Sequence, residues 1–251
     1  MKIIASDYDG TLNYGGIDDT KRDAIQKWRN SGNVFAIVSG RGTADAVNIL
    51  KKDKLGIDYF IAANGAIILN SKGDRISEVR CSGNLALPVT ELLFECGCPF
   101  VHIETDFSCY IYSDKNKCLY NGGYSLDDVP EISYFNQIST ALPDYEAAEK
   151  VTDIVKEKFG NLLNPMQNGT CIDIVKADVD KAKGIYLLLD ILGAKKENVI
   201  TVGDNINDKA MIKEFRSYAM ENGVESIKAL ADGTVSSVTQ LLAIEQQLNN
   251  L

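Results

Sequence analysis

Two aspartates stand two residues apart near the start of the chain, Asp7 and Asp9, in the run Ile-Ile-Ala-Ser-Asp-Tyr-Asp-Gly-Thr at residues 3–11. The run opens as a buried strand and closes on a polar tip, and strand alternation turns both carboxylates the same way. Gly10 frees the backbone to turn sharply after them. Carboxylates that close repel unless a cation or a shared proton offsets the charge. A hard divalent cation with oxygen ligands, Mg2+ near phosphates, is the simplest remedy. Three other places carry matching groups. Ser39 offers a hydroxyl beside the exposed backbone N–H groups around Gly40. Lys181 offers a point charge near a helix N-terminus, itself favourable to anions. Asp204 and Asp208 add carboxylates, with Asn205 and Asn207 between them. Carboxylates around a metal, with Ser, Lys and Asn donors, suit a phosphoryl group, whose oxygens need positive charge and donors on all sides. One at a time, Ser39 and Asp204 read as turn residues and Lys181 as a solvated cation. Their joint placement is what points to catalysis.

That placement depends on the elements that carry them. Residues 18–31 read as an amphipathic helix, capped by Asp19 or Thr20, with Ala24, Ile25 and Trp28 as its apolar stripe. Residues 33–38 form a continuous apolar run, as a strand covered on both faces requires. A helix over 43–52 and a third strand over 58–63 follow, the latter ending in Asn64-Gly65. Strand, helix, strand, helix, strand implies a parallel sheet, with ligands beyond the carboxyl ends of its strands. A hairpin over 66–69 and 75–79 then breaks the rhythm. From 81 to 179 the pattern is that of an α+β module on an antiparallel sheet: helices over 85–95 and 144–159, strands over 100–104, 109–112, 132–138, 162–163 and 171–175. The cysteines of this stretch read as small buried fillers. From Lys181 the doubly wound rhythm returns, with a helix over 181–192, a strand over 198–202 and a final helix from 236 to the end. The fold class is α/β: a doubly wound, Rossmann-like parallel-sheet core over 1–80 and 180–251, interrupted by an α+β domain over 81–179.

The chain has 251 residues and a net charge of -9, enough for one large domain or two modest ones. Its 45% hydrophobic and 24% charged residues exclude disorder. The acidic balance offers no surface for nucleic acid or an anionic membrane. The start carries no signal-peptide pattern, and no apolar run approaches a membrane span. Cysteines without a secretory signal point to reduced thiols and a cytoplasmic protein. One histidine and a lone Cys96-x-Cys98 argue against zinc.

In this order, Asp-Tyr-Asp-Gly-Thr, Ser39-Gly40, Lys181 and Gly-Asp-Asn-Ile-Asn-Asp at 203–208 resemble the four motifs of the haloacid dehalogenase superfamily. The insertion between the second and third resembles the type IIB cap of its Cof-like phosphatases. For the third motif Lys181 and Lys183 compete; Lys181 matches the family's helix length, although Ala182 stands where the family has Gly.

The resemblance implies Asp7 as a nucleophile that forms an aspartyl phosphate, and Asp9 as the general acid for the leaving alcohol and then the base for water. That role requires Asp9 to carry a proton when the ester bond breaks. It implies Mg2+ on the Asp7 and Asp204 side chains and the Asp9 carbonyl, with Asp208 and Asn205 behind them. Ser39, the Gly40 and Tyr8 amides, Lys181 and Asn207 would hold the phosphoryl oxygens. Arg41 stays unassigned between substrate contact and surface charge, Asn64-Gly65 borders the site by the same resemblance, and His102 and Asp173 lie in strands of the insertion where they could face the site, with a structural role the default for His102 and neither assigned to the site. The function implied is Mg2+-dependent hydrolysis of a small phosphorylated metabolite, a sugar phosphate or a phosphorylated cofactor. A phosphomutase of the phosphomannomutase type is the alternative, but residues 81–179 hold no arginine to bind a second phosphate. A non-catalytic phospho-ligand binder ranks behind, since all four motifs are intact. Leaving group and oligomeric state are not encoded in these motifs.

Overall fold

The apolar runs that read as doubly covered strands fold as such, and those nearest the functional tips are buried along almost their whole length. The computed structural model describes residues 1–106, 108–113 and 126–249. In chain order the strands are β1 (Ile3–Asp7), β2 (Val34–Val38), β3 (Tyr59–Ala62), β4 (Ile67–Asn70), β5 (Arg75–Glu78), β6 (Cys81–Ser82), β7 (Phe100–Glu104), β8 (Ser108–Tyr112), β9 (Tyr134–Phe135), β10 (Gln137–Ala141), β11 (Leu163–Asn168), β12 (Cys171–Lys176), β13 (Val199–Gly203), β14 (Arg216–Met220) and β15 (Gly233–Val235). The α-helices are α1 (Asp19–Asn30), α2 (Thr43–Asp53), α3 (Ala86–Glu95), α4 (Tyr145–Phe159), α5 (Lys181–Leu192), α6 (Lys209–Glu214), α7 (Glu225–Lys228) and α8 (Val238–Asn249).

Two compact units result. One gathers residues 1–41, 45–77 and 181 onward, the other 42–44 and 78–180. The first is built on a sheet of order β15-β14-β13-β1-β2-β3-β4-β5. Pairing is parallel from β15 to β3 and antiparallel between β3 and β4. Successive strands run outward from β1 in one direction and from β13 in the other. This reversal of strand order, between β1 and β13, is where an open α/β sheet leaves a crevice beyond its carboxyl ends. Ile3, Ala5, Ala36, Val38, Ile185, Leu188 and Met211 form the core on one face. Trp28 of α1, fully buried, donates its indole N–H to the Val34 carbonyl at 2.8 Å.

The second unit has an antiparallel sheet of order β11-β12-β10-β7-β8 and a short β6–β9 ladder. Val89, Leu93, Val101, Ile103, Ile138, Val151 and Ile172 fill its core. Register sets His102, Ser139 and Asp173 side by side. His102 stacks on Tyr110 with ring centroids 4.2 Å apart, and Asp173 accepts the Ser139 hydroxyl at 2.8 Å.

Local departures from the sequence reading have local causes. The strand expected over 132–138 splits into β9 and β10, because the intervening Asn136 N–H donates to the Glu104 carbonyl and its side chain to the Val79 carbonyl at 2.9 Å. Asp18, not Asp19 or Thr20, caps α1, accepting the Lys21 N–H at 2.9 Å. Cys81, Cys98 and Cys109 are buried fillers, but Cys96 is half-buried and Cys171, at a strand end, is exposed. Cys118 and the last two residues of the expected C-terminal helix lie outside the described residues. Among the described residues, no helix is long and apolar enough to cross a membrane.

Candidate active site

Asp7 is the last residue of β1, and the strand stops there. Asp9 belongs to the tight turn over Tyr8–Leu12, so the period of two that would align the carboxylates ends before it. The two acids take different cations as a result. Lys181 opens α5 and is fully buried, and its ammonium donates to Asp7 Oδ1 at 2.6 Å and to Asp208 Oδ1. Asp9 is about half exposed, and Arg41 takes both its oxygens.

Asp208 is oriented from the opposite side. Its Oδ2 accepts the N–H groups of Asp204, at 2.9 Å, and of Asn205, at 3.1 Å. Thr11 donates its hydroxyl to Asp204 Oδ1 at 2.6 Å. Gly10 has φ +80°, and a Cβ there would stand 2.5 Å from Asp204 Oδ2, so glycine supplies both the turn and the room for that carboxylate. The Asn205 side chain accepts the Ile206 N–H at 2.8 Å and caps the short turn after it. Asn207 is half-buried beside Asp208.

The Ser39 tip is pinned to the turn after β3. Ser39 donates its N–H to Ile61 at 2.8 Å, its carbonyl accepts from Asn64, and the Arg41 carbonyl accepts from Ala63. Ala63 and Asn64 take left-handed backbone angles to do this. That turn also carries α5: a Cβ on Gly184 would lie 2.5 Å from Gly65 Cα. Ser39 and Lys181 are therefore set by one shared turn. Tyr8 is buried and donates its hydroxyl to Asp53, at the end of α2, at 2.5 Å.

The electrostatics are those of a cation site. Burial, then Asp208, hold the Asp7 carboxyl well above the usual range, with Lys181 opposing. Burial also pushes Asp204 up. Burial disfavours the Lys181 ammonium, but Asp208 and Asp7 outweigh it and hold the charge on. One oxygen each from Asp7, Asp204 and Asp208 lies within 4.8 Å of the others. Three carboxylates against one ammonium leave an excess of negative charge, and hard oxygen donors at that spacing fit a divalent cation.

A family model, that of the haloacid dehalogenase-like hydrolases, matches residues 4–248. The chain belongs to that family. It is a haloacid dehalogenase-like hydrolase, and its four motif regions fall in the unit that holds this site. A 5-amino-6-(5-phospho-D-ribitylamino)uracil phosphatase of Bacillus subtilis is 26% identical over 246 residues, covering 92% of this chain and 88% of its own. Among solved structures, a hydrolase described as HAD/COF-like from Plasmodium vivax superposes with a TM-score of 0.81 at 22% identity, covering 99% of this chain and 96% of its own. The HAD subclass IIB sugar phosphatase BT4131 superposes with a TM-score of 0.77 at 18% identity, covering 100% and 98%. These two likenesses show the fold.

In this haloacid dehalogenase-like hydrolase Asp7, Lys181, Asp204 and Asp208 come together, while Lys183 is exposed. Ser39 sits buried at the neighbouring tip, and Asp9 is turned to Arg41. Sequence reasoning gave Thr11 no part, although it stands inside the first motif, and left Arg41, which follows the second, undecided between substrate contact and surface charge. Asn222 was also missed: its side-chain N–H donates to the Gly10 carbonyl at 2.9 Å from 212 residues away, a contact only the fold creates.

Proposed function

We propose that this phosphohydrolase is a Mg2+-dependent phosphatase of small phosphorylated metabolites, acting through an aspartyl phosphate on Asp7. The observation that carries the reading is the buried Lys181 on Asp7, beside the Asp204 and Asp208 carboxylates. A sealed ammonium against a nucleophile-bearing strand end offsets the charge of an incoming phosphoryl group.

Asp7, Asp204 and the Asp9 carbonyl would hold Mg2+, with Asp208 and Asn205 supporting them. Bound there, the cation lowers the repulsion between the Asp7 carboxylate and the substrate phosphate. An Asp7 oxygen attacks phosphorus, the bond to the leaving oxygen breaks, and Asp9 gives that oxygen its proton. Asp9 then takes a proton from water, whose oxygen attacks the same phosphorus; the bond to Asp7 breaks and inorganic phosphate is released. Ser39, the Gly40 and Tyr8 amides, Lys181 and Asn207 bind the phosphoryl oxygens. The inserted unit takes the specificity role of a type IIB cap, and the enzyme works in the cytoplasm. The ribityl phosphate named for the Bacillus subtilis relative joins sugar phosphates and phosphorylated cofactors as a substrate candidate.

Phosphate release from a panel of such esters, with Mg2+ or chelator, for wild type and Asp7→Asn, tests this. Release that needs both Mg2+ and Asp7 is expected. Phosphoryl movement within a sugar bisphosphate without net release would replace hydrolysis by the mutase reaction.

A further inference from the structure

Arg41 follows the Ser39-Gly40 tip, and its guanidinium grips Asp9 as a fork: Nε donates to Oδ2 at 2.7 Å and Nη2 to Oδ1 at 2.8 Å. Two parallel charge-assisted bonds are the strong form of this contact. The arginine is set by its surroundings. Its carbonyl accepts the Ala63 N–H at 2.8 Å. The guanidinium carbon lies 5.8 Å from the centre of the Tyr8 ring, and Nη1 lies 3.7 Å from Asp45. The pair nevertheless stays open to solvent, its side chains 40% and 48% exposed. Partners in an open pair can exchange.

Held this way, Asp9 cannot do what the reaction asks of it. A carboxylate whose two oxygens both accept from a guanidinium is not free to reach a leaving oxygen. An anion must take its place on Arg41, and a phosphate ester brings anionic oxygens with the geometry a guanidinium fork prefers. We propose that Arg41 is a substrate-anion receptor that Asp9 holds in reserve. An anionic oxygen of the substrate exchanges for Asp9 on the guanidinium, and the exchange releases Asp9 to the leaving group. The inference rests on the acid–base role proposed above for Asp9. The incoming oxygen belongs either to the phosphoryl group or to a second acidic group on the leaving portion, and the chemistry on Arg41 is the same.

Calorimetric titration of inorganic phosphate, at fixed Mg2+, into wild type, Asp9→Asn, Arg41→Met and the double variant tests the exchange. Competition from an accessible ion pair of this quality corresponds to about fivefold in affinity. Asp9→Asn should tighten the exchanging anion, phosphate for a phosphoryl oxygen or phosphonoacetate for a second acid, by about that factor when Arg41 is present and leave it unchanged when Arg41 is Met; Arg41→Met alone should weaken it. Equal tightening in both backgrounds would overturn the proposal, since Asp9 would then act only by repulsion. So would an Arg41→Met affinity equal to wild type for inorganic phosphate and for phosphonoacetate alike. Arg41→Lys should restore part of the loss, which separates lost charge from lost structure. Methylphosphonate and phosphonoacetate distinguish the sources. Arg41→Met weakens both alike if phosphoryl oxygens make the exchange, and phosphonoacetate alone if a second acid does. Undiminished hydrolysis of alkyl phosphates by Asp9→Asn would sink the acid–base reading itself, a result visible independently of the phosphate cycle.

Discussion

Replacing Lys181 with Met isolates the buried charge at the centre of the site. Methionine keeps an unbranched, flexible stem, so the packing around it survives and the ammonium alone is lost. Lys181 is fully buried and contacts two carboxylates. Removing one partner of a buried ion pair costs about 3–5 kcal/mol, because the charges left behind have no solvent. For a chain of this size that lowers the thermal midpoint by about 6–20 °C near neutral pH in chelator. The pH dependence has a definite sign. Lys181 is held above its ordinary value of 10.5, so its contribution to wild type is fully present below 10.5 and flat from acid to neutral pH. Asp7 is already held above its ordinary 3.8 by burial and Asp208, and loses the ammonium that opposes them. For an acid raised in the folded state, the cost is absent below the unfolded value and grows as pH rises through the folded one. The gap between variant and wild type should therefore narrow on acidification, and Mg2+ should recover part of it at neutral pH. At saturating Mg2+, kcat/KM should still fall by about 100- to 1,000-fold, the usual loss for one charge-stabilising donor. Circular dichroism melts in chelator and in Mg2+ decide the matter. An unchanged midpoint in chelator, or a gap that widens in acid, would refute the view of Lys181 as the counter-charge of Asp7 and Asp208.

Asp9→Asn should slow alcohol release from alkyl phosphates by about 100- to 10,000-fold while sparing the first burst of p-nitrophenol from p-nitrophenyl phosphate, whose leaving group needs no proton, and turnover after the burst should slow for both because Asp9 also activates water; a burst slowed as much as alcohol release would contradict proton donation. In Gly184→Ala the new Cβ meets Gly65 Cα at 2.5 Å and Ile61 Cγ2 at 2.7 Å. Overpacking of that kind should cost about 1–3 kcal/mol and lower kcat by shifting the start of α5, and a wild-type melt with wild-type kcat would show that α5 does not depend on this contact. Iodoacetamide at mildly alkaline pH should label exposed Cys171 well before Cys81, whose thiol burial pushes up to about 12. Peptide mass mapping reads this directly, and equal rates would mean that the second unit opens readily.

The elements that position the site were legible because their signals are one-dimensional. Apolar runs such as 33–38 announce doubly covered strands, and the helix from Lys181 to Leu192 has the bounds its pattern implies. The aspartates, Ser39 and Lys181 were legible as types at strand or helix ends, and the fold gathers Asp7, Lys181 and Asp208 as that reasoning requires. Geometry past the strand ends was not. Alternation assigned Asp9 the direction of Asp7, but the chain has left the strand by then. Arg41 remained undecided because a guanidinium's partner lies wherever the fold places one, here 32 residues upstream. Asn136, which splits a strand by occupying the Val79 carbonyl, carries no periodic signature at all.

The position of β1 has a consequence for how the protein is made. Its partners are β2, a few dozen residues downstream, and β13, almost two hundred residues downstream. Chains emerge from the ribosome from the N-terminus and fold domain by domain. Residues 78–180 are complete, and free to fold, while β1 still lacks its second neighbour. Until Val199–Gly203 arrives, Ile3, Ile4 and Ala5 present an unpaired apolar edge, the kind of template on which chains aggregate. Asp7 waits almost as long for Lys181. A chain truncated between residues 180 and 198 and released from the ribosome should yield a folded inserted unit on an unfinished core, with β1 open to chaperones for want of its last partners.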